Sequence, residues 1–353
     1  MASSDAAGFR LSVLNPGGRD SKQYFDGRFA AITAHPPINF HAFAACTNGS
    51  FQRDVKNAIA EKTPILLLIR GDFKATERAL IELKKQRRAV AVSLKETGLH
   101  QIANQLRDPV RLSRFLRIVN LADGCIATTP EAAGIYRQAR REHDPANVAF
   151  IPTAYPVEDR RWNFAVSPNE QSGILVGTRE WDVPSRNHLA ALLLARELCH
   201  ATGEPVTVFN LDGRKGEKSL SELKFPAGKL RVIERRKSYN DYLHEVAKHK
   251  IVLQLDRSGV PGQVAGDALL CRTVCVGGDG AIDRIAFTNF CGEGRTTEQL
   301  KSIALELLTN TNARAAAIIE SQGRAAERLS FQAVRSQLSI FFARIGRKPE
   351  NVR

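Results

Sequence analysis

The sequence predicts an α/β protein built from two doubly wound domains, and three observations carry that reading. Short β-rich apolar runs alternate with segments of helical period, the pattern of parallel sheets covered by helices. The alternation breaks over 152–164, where Pro152, Pro156 and Trp162 interrupt it, and restarts beyond 168–173. The chain has 353 residues, enough for two domains at about 100–200 residues each.

In chain order, the apolar runs place strands near 9–14, 29–33, 64–69, 88–93, 125–127 and 148–151. The periodic segments between them place helices near 51–61, 74–86, 99–106, 109–120 and 130–141. After the break, strands are expected near 173–176, 205–209, 231–233, 250–255 and 273–276, with helices near 185–201, 239–248 and 262–270. Helical segments near 296–308, 312–328 and 331–345 close the chain. The organisation read from this is a first domain over 1–155, a linker over 156–172, a second domain over 173–330 and a final helix within 331–353 that turns back towards the first domain.

Composition excludes several classes. With 43% hydrophobic and 25% charged residues the chain is neither disordered nor fibrous. No apolar run reaches the roughly 20 residues of a spanning helix, and the first residues lack the basic and apolar regions of an export signal, so a soluble, cytoplasmic protein is expected. The six cysteines are scattered without a CxxC pair, which points to buried thiols in a reducing compartment and to no metal. The net charge of +14 suits a polyanionic partner, an anionic membrane or a phosphorylated ligand. It is spread evenly: 23 basic and 16 acidic residues precede position 161, and 28 and 21 follow.

The sharpest feature runs from Lys250 to Gly278: a strand, Lys250-Ile-Val-Leu-Gln-Leu, a loop of small residues, a helix opening at Gly262 and a carboxylate, Asp267, about one turn in. Unpaired amides at such a helix start, with the positive end of the helix dipole, suit a diphosphate, and Asp267 is placed to reach ribose hydroxyls.

Here the sequence resembles the GT-B glycosyltransferases, and in particular the large retaining group known as glycosyl transferases group 1, or family 4-like, whose second domain carries E-G-F-G-x-x-x-x-E-A-x-x-x-G-x-P-V. Gly262 falls on the second glycine and Asp267-Ala268 on Glu-Ala. Gly259 stands where the first glutamate would be, and Arg272-Thr-Val where the family has Gly-x-Pro. Other segments resemble the group in the same order: 122–130, 147–153, Gly173-Ile-Leu-Val-Gly177-Thr-Arg-Glu followed by Arg186-Asn187, and Tyr239-Asn-Asp-Tyr-Leu ahead of Lys250.

The resemblance implies two Rossmann-like domains facing a central cleft and transfer of a hexosyl group from a nucleoside-diphosphate sugar, a UDP- or GDP-sugar, as co-substrate with no covalently bound cofactor. It places Gly177, Arg179, Arg186, Ile233, Arg235, Gly262, Gln263, Val264 and Asp267 at the donor, with Arg179 and Arg186 neutralising the leaving diphosphate. Gly17 and Gly18, after the first strand, fall at the family's glycine-rich loop near acceptor and phosphate. For the catalytic group the candidates are Asp20, His35 and Glu96, each just beyond a predicted strand, with Glu96 the expected general base of an inverting displacement.

A basic face in the first domain, from Lys84-Lys-Gln-Arg-Arg88 and from Arg107, Arg111, Arg114 and Arg117 at helical spacing, suits peripheral contact with an anionic inner membrane surface or with nucleic acid. The acceptor stays open between a glycan, a lipid-linked sugar and a small molecule. Two alternatives stand beside this reading: a phage-type transferase acting on hydroxymethylated DNA bases, and a non-catalytic GT-B-like module that binds nucleotide or sugar.

Overall fold

The computed structural model describes residues 8–25, 35–140 and 145–346. The expected strand at 29–33 lies outside these residues. In chain order the elements are β1 (Ser12–Leu14), β2 (Gln23–Tyr24), α1 (Asn39–Cys46), β3 (Ser50–Gln52), α2 (Val55–Ala60), β4 (Ile65–Ile69), α3 (Lys74–Lys85), β5 (Val90–Leu94), α4 (Leu99–Leu106), α5 (Pro109–Leu121), β6 (Gly124–Ala127), α6 (Pro130–Ala139) and β7 (Val148–Phe150). There follow β8 (Ile174–Val176), α7 (His188–Thr202), β9 (Val206–Phe209), α8 (Arg214–Glu222), β10 (Leu230–Ile233), α9 (Tyr239–Ala247), β11 (Ile251–Leu253), α10 (Gln263–Leu270), β12 (Val274–Val276), α11 (Ala281–Ala286), α12 (Thr297–Thr309), α13 (Thr311–Arg328) and α14 (Phe331–Gly346).

These elements form two units, one of Met1–Pro156 with Leu329–Arg353 and one of Val157–Arg328. The first has a seven-stranded sheet in the order β2-β3-β1-β4-β5-β6-β7, parallel except for β2. Its central strand, β4, is apolar throughout because both faces are covered. Ile65, Leu67 and Ile69 point to one face, with Leu80 and Leu83 of α3, Phe115 of α5 and Tyr136 of α6. Leu66 and Leu68 point to the other, with Phe43 of α1 and Leu338, Phe341 and Phe342 of α14.

Two local expectations are corrected here. The helix expected at 51–61 is a strand, β3, followed by the short α2, because Phe51 is buried beside Val13 and Asp54 caps the amides of Lys56 and Asn57. The segment before it holds α1, of which all but the first residue are buried, so it lacks the polar face that a helical period requires.

The second unit has a five-stranded, wholly parallel sheet in the order β10-β9-β8-β11-β12. The order reverses between β8 and β11, and at such a switch point the loops leaving the two strands diverge and open a crevice at their carboxyl ends. The backbone of Phe164 donates to Leu270 and that of Ser172 to Lys248, so the stretch from 157 belongs with this sheet.

Candidate functional site

Every donor-side candidate except Ile233 and Arg235 stands at the switch point of the second unit. Gly177, Arg179 and Arg186 leave β8, whereas Gly262, Gln263, Val264 and Asp267 follow β11. The two loops are tied together: Arg257 donates its amide to Ser185 at 2.8 Å, Asn187 its side-chain amide to Leu255 at 2.9 Å, and the Ser185 and Ser258 hydroxyls are 2.9 Å apart.

Gly262 precedes α10 with φ +92°, a left-handed conformation that a side chain disfavours, and a Cβ there would lie 2.9 Å from Asp283 Oδ2. This turn opens α10, whose amino end carries the positive pole of the helix dipole. Val264 packs onto Gly177, filling the space a side chain would need. Gln263 at the helix start is exposed and hydrogen-bonds Asp267.

Asp267 is only 1% exposed, and the Tyr239 hydroxyl donates to its Oδ1 at 2.6 Å. Burial pushes this carboxyl up to about 7, against the opposing pull of Tyr239, Gln263 and the Arg179 charge. Arg179 itself is exposed and near enough to act on both Asp267 and the half-buried Tyr242. Tyr239 is the residue of this cluster that the sequence reading passed over as a site. Its signal was present, a tyrosine at the start of the helix that precedes the motif strand.

Arg186 is engaged. It pairs with the buried Asp256 and lies 2.9 Å from Glu180, so two carboxylates already neutralise it. Asp283, also missed, is buried at the start of α11, accepts from Gln254 at 3.0 Å and from the Gly280 amide at 3.2 Å, and is raised to about 7 by burial and by the nearby Asp256. Ile233, half-buried, ends β10, and the exposed Arg235 lies in the basic loop that follows.

In the first unit a second cluster gathers where β1 and β5 end. Asn15 is fully buried, and it and Lys95 both donate to Asp20. Gly18 sits so close that a Cβ would lie 2.2 Å from the Asn15 amide, and the exposed Gly17 takes φ +72° in the same turn. Burial would raise Asp20, but Lys95, then Asn15, hold its carboxyl below the usual range. His35 stacks on His41 at 3.8 Å, and His41 stacks in turn on Phe51 at 3.7 Å.

The tautomers follow from the partners. His41 Nε2 donates to the Ser21 carbonyl at 3.1 Å, and His35 Nδ1 donates to the Pro36 carbonyl at 2.7 Å, so Nε2 is the His35 nitrogen without a hydrogen bond among the described residues. Burial, with His35 alongside, lowers His41 to about 4. Asp20 and His35 thus share one neighbourhood through His41, which stacks on His35 and is electrostatically coupled to Asp20. Glu96 does not join them. Its side chain is exposed, and the preceding residue, Lys95, is the one that reaches Asp20. Among the described residues no group of three His, Cys, Asp or Glu is placed to hold a metal ion.

No protein-family model matches the sequence, and no curated protein matches it. Solved structures do. An α,α-trehalose 6-phosphate synthase from Burkholderia multivorans superposes with a TM-score of 0.62 at 10% identity, covering 96% of this chain and 97% of that one. A TarM mutant from S. aureus, crystallised with Fondaparinux, alpha-GlcNAc-glycerol and UDP, gives 0.58 at 11% identity over 79% of this chain. A trehalose-6-phosphate structure from E. coli bound with UDP-2-fluoro glucose gives 0.57 at 11% identity, covering 81% of this chain and 73% of that one. The match spans only 55% of the TarM mutant's length. The fold of this chain, two α/β Rossmann-like units, is that of the GT-B glycosyltransferases.

Proposed function

We propose that this protein is a glycosyltransferase that moves a sugar, as a hexosyltransferase does, from a nucleoside-diphosphate sugar to an acceptor hydroxyl. The second unit takes the donor, a UDP- or GDP-sugar, and the first takes the acceptor. The observation that carries the reading is the switch point of the second unit, where the amino end of α10, the exposed Arg179 and the buried Asp267 with its partner Tyr239 come together at the carboxyl ends of the central strands. Neighbours of the same fold crystallised with UDP and with a UDP-sugar analogue support it.

Such a reaction needs positive charge where the diphosphate departs and a group that takes the acceptor's proton. Arg179 and the α10 amides supply the first. His35 Nε2 is the proton acceptor best suited to the second. Asp20 is held ionised by Lys95 and is a weak base, and Glu96 stands apart.

The reading is tested by a thermal-shift screen of the full chain with UDP, GDP, ADP and their sugar conjugates, followed by donor hydrolysis and transfer assays. A ligand that binds only the native state raises its melting temperature. A shift with one nucleotide names the base of the donor. No shift and no donor turnover would leave the non-catalytic module as the better account.

A further inference from the structure

We propose that the outer face of α5, with the seams on either side of it, docks on an anionic lipid bilayer. Residues 74–121 hold eleven Lys and Arg against four Asp and Glu, an excess of seven that is half the net charge of the whole chain. Within this stretch α5 buries Phe115, Ile118 and Val119 on its inner side. On its outer side it leaves four large aliphatic residues in water: Val110 at 57% exposure, Leu121 at 43%, and Leu112 and Leu116 at 39% each.

The neighbouring helices extend the face. Ile81 of α3 is 46% exposed and lies one turn beyond Glu77, the carboxylate that Arg114 and Arg117 reach from α5. Leu99, at the start of α4, is 41% exposed. Arg114 and Arg117 share that single glutamate, and the side chains of Lys85, Arg87, Arg107 and Arg111 enter no ion pair among the described residues.

Aliphatic side chains interleaved with unpaired cations match the lipid interface, where leucines enter the headgroup boundary and arginines meet the phosphates. The phosphates of nucleic acid would engage the same cations but leave the leucines and Val110 without a partner. The aromatic ring of α5 that could stack on a base, Phe115, is buried at 1% exposure. No described helix is long and apolar enough to cross a membrane, so the contact proposed is with the surface. It stands on this face alone and does not require transfer chemistry.

The test is flotation of the full chain with vesicles of phosphatidylcholine alone and of phosphatidylcholine mixed with phosphatidylglycerol, at low and high salt, with no donor present. Partitioning is expected only onto the phosphatidylglycerol vesicles, falling as salt rises. Arg107→Ala with Arg111→Ala should weaken it by about fivefold for each arginine. Leu112→Ser with Leu116→Ser should weaken it with the charge unchanged. Arg214→Ala with Lys218→Ala, which removes two charges from α8, should leave it as it was.

All these positions are at the surface, and an unchanged melting temperature verifies that each variant folds. Equal binding to both vesicle types would overturn the proposal, as would equal losses in the α8 pair and the α5 arginine pair. So would a chain that retards duplex DNA in a gel while ignoring phosphatidylglycerol.

Discussion

Asp267 carries its chemistry in its burial. An aspartate in the unfolded chain titrates near 4, whereas burial raises this one to about 7 in the folded protein. Between those values the unfolded chain gives up a proton that the folded chain keeps. The stability that this carboxyl contributes is therefore complete below about pH 4 and lost as pH rises through about 7. Three buried imidazoles work the other way. His41, His188 and His249 are each lowered to about 4 by burial, so their contribution is present above about pH 6.5 and is lost as pH falls towards 4. Because the two effects oppose each other, the parent's own pH curve does not isolate Asp267, but Asp267→Asn does. Between pH 5 and pH 8, urea unfolding should show the variant gaining on the parent by on the order of 1–3 kcal/mol. A difference independent of pH would mean that the carboxyl ionises freely. The two arginines divide similarly. Arg186→Ala strands the buried Asp256 and should cost about 1–3 kcal/mol in a melt. Arg179→Ala should spare the fold and weaken nucleoside-diphosphate binding about tenfold by titration calorimetry, the loss of one charge-assisted contact. His35→Gln should keep that affinity and lose turnover. Retained turnover would place the proton acceptor elsewhere, the donor phosphate included.

At the scale of elements, the start of α10 is a constrained turn. Gly262→Ala forces a side chain into a left-handed conformation and against Asp283, so a cost of about 1–3 kcal/mol is expected, with loss of nucleotide binding because the first turn of α10 moves. This turn was legible in the sequence because a run of small residues between a strand and a helix leaves few other conformations. The same legibility holds for α3, α4, α5, α9 and α12–α14, whose apolar and polar residues recur at helical spacing. It fails where burial removes the contrast. The helix α1 has no polar face, and β3 carries Ser50 and Gln52, polar residues that donate to Glu61 and so read as a loop or a helix start. It fails again where one residue of parity decides a site. Lys95 and Glu96 both follow β5, but only Lys95 turns to Asp20, and nothing in the local composition distinguishes them. Asp283 was hidden for a related reason. Its amide contact with Gly280 is local, but its partner Gln254 comes from the loop after β11, and no local spacing announces that pairing.

For the whole molecule, the two units differ in how the chain builds them. The second is contiguous, Val157–Arg328, and carries its own sheet and the helices on both faces. The first is discontinuous. One face of its sheet is covered by α14, which is more than 150 residues along the chain from β7, through Val334, Leu338, Phe341 and Phe342, and Arg335 of α14 also donates to the Cys46 carbonyl at the end of α1. Phe341 is 2% exposed, and Phe341→Ala is expected to cost about 3–5 kcal/mol, the range for emptying a buried aromatic site. The consequence for fragments is asymmetric. A fragment of 157–328 should unfold cooperatively by itself and, if it holds the donor site, keep the thermal shift given by the matching nucleoside diphosphate. A fragment of 1–156 leaves Phe43, Phe51, Leu66 and Leu68 uncovered, and it should bind a hydrophobic dye and lack near-ultraviolet circular dichroism, the signs of lost side-chain packing. Adding a peptide of 329–353 should abolish the dye binding and restore the near-ultraviolet signal, because it returns the missing layer. Cooperative folding of 1–156 without the peptide would show that α14 is dispensable to the sheet it covers. Loss of nucleotide response in 157–328 would place part of the donor site on the other unit.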